Sequence, residues 1–345
     1  MASWPERQVL KMNKVYVIAE AGVNHNGSLE IARKLVEKAA EAGADAVKFQ
    51  TFRADTLVSR DAPKAEYQKA TTDACESQYQ MLKKLELSEE AHWELKGVCA
   101  SLGIDFASTP FDITDISLLS ALDIPFFKVP SGAITDLPYL RAVNACRKPV
   151  VLSSGMATED EVAAALAVFR DCPVTLLHCT TEYPCPYADV NLKAMLTLRD
   201  RFGLPVGYSD HTRGIEVAIA AAALGAVVIE KHFTLDRGME GPDHKASLEP
   251  QELKAMVAAI RNVSKAISGD GCKRPSKAEL DIASVARKSI VVKCAIRKGE
   301  ILSDENLTTR RPGSGISPMR WDEVVNRPAR RDYGAGEMLA DDELG

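Results

Sequence analysis

From Val15 onward the chain alternates, eight times over, a short aliphatic run with a stretch of helical periodicity. The runs are Val15–Glu20, Ala46–Thr51, Asp105–Thr109, Phe126–Pro130, Val150–Ser153, Val174–Thr180, Val206–Asp210 and Ala226–His232. Their interiors are nearly all apolar, as expected of parallel strands covered on both faces. Between them, Leu29–Ala42, Glu89–Leu102 and Glu159–Phe169 read as helices opened by the caps Ser28, Ser88 and Thr158. Further helices fit Ile116–Leu122, Leu137–Ala145, Leu192–Phe202 and Ile215–Leu224, and Pro250–Ser268 closes the series. Eight βα units in roughly 250 residues match an α/β fold of the (β/α)8 TIM-barrel type better than an open sheet. The long connection after the second run carries one more helical stretch near Glu76–Leu85, and a long loop at that face is expected to be functional.

The alternation stops near Gly269. Residues 1–269 are read as the barrel and 270–286, with Gly269-Asp270-Gly271 and Lys273-Arg274-Pro275, as a linker. Residues 287–345 read as a small, mainly β unit opening with a strand at Ser289–Lys293. This tail repeats itself: Lys298-Gly299-Glu300-Ile301-Leu302 resembles Ala335-Gly336-Glu337-Met338-Leu339, which suggests internal pseudo-symmetry. A unit this small buries a thin core, so support from the barrel or a second chain is expected.

A net charge of −5 gives no basic field to draw the 345-residue chain onto nucleic acid or anionic membrane. An anionic ligand therefore needs its own local cations. No apolar run approaches the ~20 residues of a membrane span, and Met1–Lys14 lacks the apolar core of a secretory signal. The eight cysteines contain no Cys-x-x-Cys pair, which argues against a zinc knot and for a reduced, cytoplasmic setting.

In a barrel, catalytic groups sit where strands run out into the βα loops. Here the strand ends carry Glu20, Lys48 with Gln50, Ser108 with Thr109, and Lys128 with Ser131. The later ones carry Ser153, His178 with Thr180, Ser209 with Asp210 and His211, and Glu230 with Lys231 and His232. Lys48 and Lys128, among Thr109, Ser131, Ser153 and Ser209, offer the cations and hydroxyls that hold phosphate and carboxylate. His211 and His232 end neighbouring strands, so their imidazoles can share one divalent ion. Two imidazoles completed by oxygen ligands favour Mn2+, with Mg2+ and Co2+ also suited, over structural zinc. Glu20 or Glu230 is placed to move a proton. His25, His178 and His244 are read as structural, Lys231 as pointing outward by alternation, and Met81 and Met195 as core filler.

The ordered motifs Ile18-Ala19-Glu20-Ala21-Gly22-Val23-Asn24-His25-Asn26-Gly27, Val47-Lys48-Phe49-Gln50-Thr51 and Ser108-Thr109-Pro110-Phe111 resemble those of bacterial sialic acid synthases. So do Lys128-Val129-Pro130-Ser131-Gly132, Leu152-Ser153-Ser154-Gly155-Met156, His178-Cys179-Thr180-Thr181-Glu182-Tyr183-Pro184, Tyr208-Ser209-Asp210-His211 and Glu230-Lys231-His232-Phe233-Thr234. The tail resembles the antifreeze-like SAF domain of the same enzymes. The resemblance implies condensation of phosphoenolpyruvate with an open-chain N-acetylmannosamine-type sugar, giving a nine-carbon 2-keto acid (N-acetylneuraminate) and phosphate. It implies catalytic roles for Glu20, Lys48, Lys128 and Glu230, and phosphoenolpyruvate contacts from Lys48, Thr109, Lys128, Ser131, Ser153 and Ser209. It further implies sugar contacts from Gln50, Tyr183, Asp243 and Arg311, a divalent metal on His211 and His232, and a homodimer in which the SAF domain closes the other subunit's barrel. The legionaminate branch, which uses 2,4-diacetamido-2,4,6-trideoxymannose, is the alternative sugar choice.

One departure stands out. The family motif continues Ser-Gly-Glu where this chain has Ser131-Gly132-Ala133. A carboxylate expected to face the mouth is missing, so an impaired, sugar-binding homologue is a second alternative. A Schiff-base aldolase with Lys128 as nucleophile is a third.

Overall fold

The computed structural model describes residues 14–69, 72–73 and 76–343; Met1–Asn13 and Cys75 lie outside them. The chain divides into two compact units, Met1–Ser268 and Gly269–Gly345.

The first unit holds eight parallel strands: β1 Tyr16–Gly22, β2 Ala46–Thr51, β3 Asp105–Pro110, β4 Phe127–Val129, β5 Val150–Ser153, β6 Val174–Cys179, β7 Val206–Asp210 and β8 Val228–His232. Ladder hydrogen bonds run in the order β3-β2-β1-β8-β7-β6-β5-β4, and β3 lies against β4 to complete the ring. Around it run α1 Leu29–Ala42, α5 Glu89–Leu102, α6 Ile113–Ala121, α7 Leu137–Ala145, α8 Glu159–Leu166, α9 Ala194–Phe202, α10 Glu216–Ala223 and α11 Pro250–Ala266. Three short helices, α2 Ala54–Leu57, α3 Glu66–Lys69 and α4 Gln78–Lys83, fill the connection between β2 and α5. This is the (β/α)8 barrel.

Helix starts follow their caps. Ser28, Ser88 and Thr158 accept from Ile31, Ala91 and Glu161 backbone N–H groups, each satisfying a donor that the first turn leaves unpaired. The helix expected at Ile116–Leu122 begins three residues earlier, because Asp112 and Asp115 form a reciprocal capping box that periodicity alone does not register.

Period-two alternation splits the strand side chains into two cores. Tyr16, Ile18, Ala46, Ala107, Phe126, Val151, Leu177 and Val228 fill the barrel interior. Their neighbours Val17, Ala19, Val47, Phe49, Phe106, Leu152, Leu176 and Ile229 pack outward against the helices. The same alternation, carried one step further toward the strand ends, decides which polar groups enter the mouth.

In the second unit, the stretch expected as a linker contains α12, Lys277–Ala286, started by a Ser276–Glu279 capping box. Strands β9 Ser289–Val292 and β10 Leu307–Arg310 pair antiparallel. The sequence repeat has a structural counterpart. Gly299 and Gly336 both hold left-handed backbone, at φ +86° and +87°, and Leu302 and Leu339 both enter the small core with Ile290, Val292, Ile316 and Tyr333. Only glycine adopts that φ without a steric cost.

Candidate active site

Every strand contributes one inward polar side chain just above the interior core: Glu20, Lys48, Thr109, Lys128, Ser153, Cys179, Ser209 and Glu230. All are nearly inaccessible. They form the floor of a cavity of about 360 Å3 whose walls include Gln50, Ser131, Thr181, Tyr183, His211, His232 and Asp243. That volume suits a small ligand. Of the residues singled out in the sequence, Arg311 alone belongs to the second unit, where it is exposed just past β10.

The floor is an ion-pair network. Lys48 Nζ lies 2.6 Å from Glu20 Oε2 and 3.7 Å from Glu230 Oε2, and it donates to Thr109 Oγ1 at 2.8 Å. Lys128 Nζ stands 3.4 Å from Glu230 Oε1, which also accepts from Ser209 Oγ at 2.8 Å. Burial alone would push Glu230 up, yet Lys128 and Lys48 together outweigh it and hold the carboxyl at about 2. Glu20 goes the other way. Burial, aided by the nearby Glu230 charge, outweighs Lys48 and lifts it to about 7. One carboxylate is thus fixed as an anion while its neighbour can hold or release a proton near neutrality. The ion-paired setting of Lys128 is not the apolar one that a Schiff-base lysine needs.

The pairing of β1 with β2 shifts register between Glu20 and Gly22. Gly22 has φ +52°, and a Cβ there would lie 3.2 Å from Gln50 Nε2, 3.3 Å from Glu20 Oε1 and 3.6 Å from Asp243 Oδ2. Glycine thereby lets Gln50, Glu20 and Asp243 converge. Gly155, at φ +46°, plays the same part for Ser131 and Thr181, whose hydroxyls are 3.2 Å apart. Burial raises Asp243 to about 6.

His211 and His232 face each other at 5.6 Å between ring centres, and the Tyr183 ring lies 4.1 Å from the first and 5.6 Å from the second. The Nδ1 of His211 donates to the Thr180 carbonyl at 2.6 Å, which leaves its Nε2 as the lone-pair atom. Burial lowers His211 to about 4 and His232 well below the ordinary range, so both rings are neutral. The buried Nδ1 of His232 has no hydrogen-bond partner and lies 3.8 Å from Asp243 Oδ2. Two neutral imidazoles with an unsatisfied nitrogen fit a divalent ion. Among the described residues no three His, Cys, Asp or Glu side chains form a closed shell, so solvent or ligand must supply the remaining donors. Ser153 Oγ and Glu230 Oε2 are likewise buried without a hydrogen-bond partner, although Lys48 faces the latter at 3.7 Å.

The neighbours one residue away point outward. His178 Nε2 donates to the Val190 carbonyl, His244 bonds Thr234 and Asn26, and Ser108 joins Thr51 and His92 in a hydroxyl–imidazole network. Lys231 also points outward, but into the interior of the fold: it is fully buried and donates to Asp210 Oδ2 at 2.8 Å. Two expectations change. At the end of β6 the inward residues are Cys179 and Thr181 rather than Thr180, because the strand's phase is set by Leu177 in the interior core, and His178 is structural as expected. Ala133 is not among the cavity-lining residues; its methyl packs against the outer core, and the mouth's carboxylates come from Glu20, Glu230 and Asp243. Met81, expected as filler, is buried and also lines the cavity.

A (β/α)8 barrel with lysines, hydroxyls, paired carboxylates and two facing imidazoles at its mouth has the architecture of an enzyme whose site opens at the carboxyl ends of the strands. The chain belongs to the NeuB family, whose model matches residues 35–273, and the SAF domain model matches residues 287–345. It is 54% identical over 333 residues to the N,N'-diacetyllegionaminic acid synthase of Campylobacter jejuni, covering 95% of this chain and 99% of that one. The N,N'-diacetyllegionaminic acid synthase of Legionella pneumophila is 48% identical over 94% of this chain and 93% of its own. Among solved structures, the N-acetylneuraminic acid synthetase of Leptospira borgpetersenii superposes with a TM-score of 0.69 at 33% identity, covering 78% of this chain and 90% of that chain.

Proposed function

We propose that this chain is a nonulosonate synthase, joining phosphoenolpyruvate to the open-chain aldehyde of an N-acylated mannosamine-type sugar to give a nine-carbon 2-keto acid and phosphate. Of the two sugars left open by the sequence, 2,4-diacetamido-2,4,6-trideoxymannose is favoured over N-acetylmannosamine, which makes the product N,N'-diacetyllegionaminic acid. Two relatives bearing that name match nearly the whole chain at 54% and 48% identity, whereas a human N-acetylneuraminate-9-phosphate synthase matches at 35%. The observation that carries the chemistry is the buried pair of lysines bridged by Glu230 and ringed by hydroxyls.

In this reading Lys48 and Lys128 hold the phosphate and carboxylate of phosphoenolpyruvate, with Thr109, Ser131, Ser153 and Ser209 donating hydrogen bonds. Glu230 stays ionised and fixes both ammonium groups. Carbon 3 of phosphoenolpyruvate attacks the aldehyde carbon, water adds at carbon 2, and the carbon–oxygen bond to phosphate breaks. Glu20 takes the proton of that water on its carboxylate, the role suited to a group titrating near 7. Gln50, Tyr183 and Asp243 contact the sugar. A divalent ion on His211 and His232, Mn2+ first and Mg2+ or Co2+ next, supplies Lewis-acid polarisation of the aldehyde. The proposal extends to a homodimer in which Arg311 of the partner subunit reaches the N-acyl group, and to a reduced cytoplasmic setting consistent with the free thiols of the described cysteines.

The test is phosphate release from phosphoenolpyruvate in Mn2+ with a panel of acylated hexosamines, followed by mass spectrometry of the product. Release with the trideoxy sugar and a nine-carbon keto acid are expected. Absence of release with every sugar overturns the reading.

A further inference from the structure

The cavity has two chemically different halves. Its floor is charged, but one wall is not. Phe52 continues the inward series Lys48, Gln50 by two-residue steps, and there it joins Val23, Met81 and Leu85 in a separate apolar cluster with Leu57, Leu82 and Phe111. Phe52, Leu57, Val58, Met81 and Leu82 all line the cavity, and none of these side chains carries a strong hydrogen-bonding group. Phe52 and Met81 are buried, while Leu57, Val58 and Leu82 keep part of their apolar surface open.

The wall is held together by its own ties. The N–H of Ala54 donates to Glu86 Oε1 at 2.7 Å, and Tyr79 Oη and Lys83 Nζ both bond Asp55, at 2.7 and 3.0 Å, which joins α2 to α4. A reciprocal Ser77–Gln80 box fixes the start of α4. Gln78, in the first turn of that helix, places an amide beside the apolar patch and also lines the cavity.

Resting on the synthase reading above, we infer that this wall reads the end of the acceptor sugar remote from its aldehyde and selects a methyl there over a hydroxymethyl. With the aldehyde beside His211 and His232 and phosphoenolpyruvate on the lysines, the floor and the imidazole side are occupied. The rest of the sugar extends along the remaining wall. A hydroxyl brought against Leu57, Val58 and Met81 gives up its water and gains no hydrogen bond from those side chains, the amides on this side being those of Gln68 and Gln78, whereas a methyl buries apolar area there. Met81 and Leu57 are the specificity-determining residues. An apolar pocket rejects an added hydroxyl by no more than about 10²-fold, which bounds the effect.

The experiment compares kcat/KM, by phosphate release, for 2,4-diacetamido-2,4,6-trideoxymannose and for the same sugar carrying a 6-hydroxyl. The native chain is expected to prefer the 6-deoxy form by roughly 10–100-fold. Met81→Gln and the half-exposed Leu57→Asn should each shrink that ratio about tenfold with the KM for phosphoenolpyruvate unchanged; Val58→Thr, close to isosteric, guards against a folding defect in either. A native ratio near one, or an unchanged ratio in the folded Leu57 and Val58 variants, overturns the inference while leaving the synthase reading intact. Phosphate release with neither sugar overturns that reading and the inference with it.

Discussion

Replacing Lys231 by methionine tests whether the outward face of the last two strands supports the site. Lys231 lies between Glu230 and His232 but points away from the mouth, and both it and Asp210 are fully inaccessible. Its ammonium donates to Asp210 Oδ2 at 2.8 Å and to the Thr212 carbonyl at 2.5 Å. Asp210 Oδ1 in turn accepts from the Thr212 N–H at 2.8 Å and from Thr212 Oγ1 at 2.7 Å. The pair therefore pins the turn that carries His211. Removing the ammonium leaves a buried carboxylate without its cation and a carbonyl that has lost its lysine. Breaking a buried ion pair by removing one partner costs about 3–5 kcal/mol. Lys231→Met should lose that much in urea unfolding of the full chain, with the m-value unchanged. Asp210→Asn combined with Lys231→Met should recover at least half of the loss, because no uncompensated charge stays inside. A single variant within about 1 kcal/mol of the parent, well below the range for a broken buried pair, would refute the reasoning.

Three further outcomes follow from the mouth. Lys48→Ala and Lys128→Ala should each raise the phosphoenolpyruvate concentration for half-maximal rate by a factor equivalent to about 2–3 kcal/mol, the size of a lost charge-assisted contact to a buried anion; an unchanged response in both counts against the assignment. Exhaustive chelation should abolish turnover and Mn2+ or Mg2+ should restore it, so full activity of demetallated protein in chelator would remove His211 and His232 from the chemistry. Mixing Arg311→Ala with His232→Ala chains should restore part of the activity after verified subunit exchange, because a hybrid dimer has one site with both parts; no rescue argues against sharing in trans.

How much of this was legible in the sequence depends on whether a feature has a period. The barrel was, because eight buried parallel strands leave eight aliphatic runs, and the strand-end lysines, carboxylates and histidines follow from where such runs stop. What failed was phase. At the end of β6 the sequence offers His178, Cys179 and Thr180 in succession, and Thr180 is grouped with the mouth, yet Leu177 in the interior core fixes Cys179 and Thr181 inward and sends His178, read as structural, to the Val190 carbonyl. Counting back by two from the interior core would have found it. The apolar wall had no such signal. Phe52 and Val58 lie outside any helix, Leu57 ends the four-residue α2, and Met81 sits in the helix expected near Glu76–Leu85, whose pattern did not say what it faces; Asp55 and Glu86 tie the ends of the connection together. Ala133 shows the opposite limit: a motif departure locates a missing carboxylate but not its direction, and here the residue packs on the outer core. Phase also explains why β7 and β8 do two jobs at once. Ser209, His211, Glu230 and His232 face the cavity, while Asp210 and Lys231, one step out of phase, lock the same two strand ends from behind. A substitution at either of those outward residues should therefore reach the site through the backbone of His211 and His232 without touching the cavity itself.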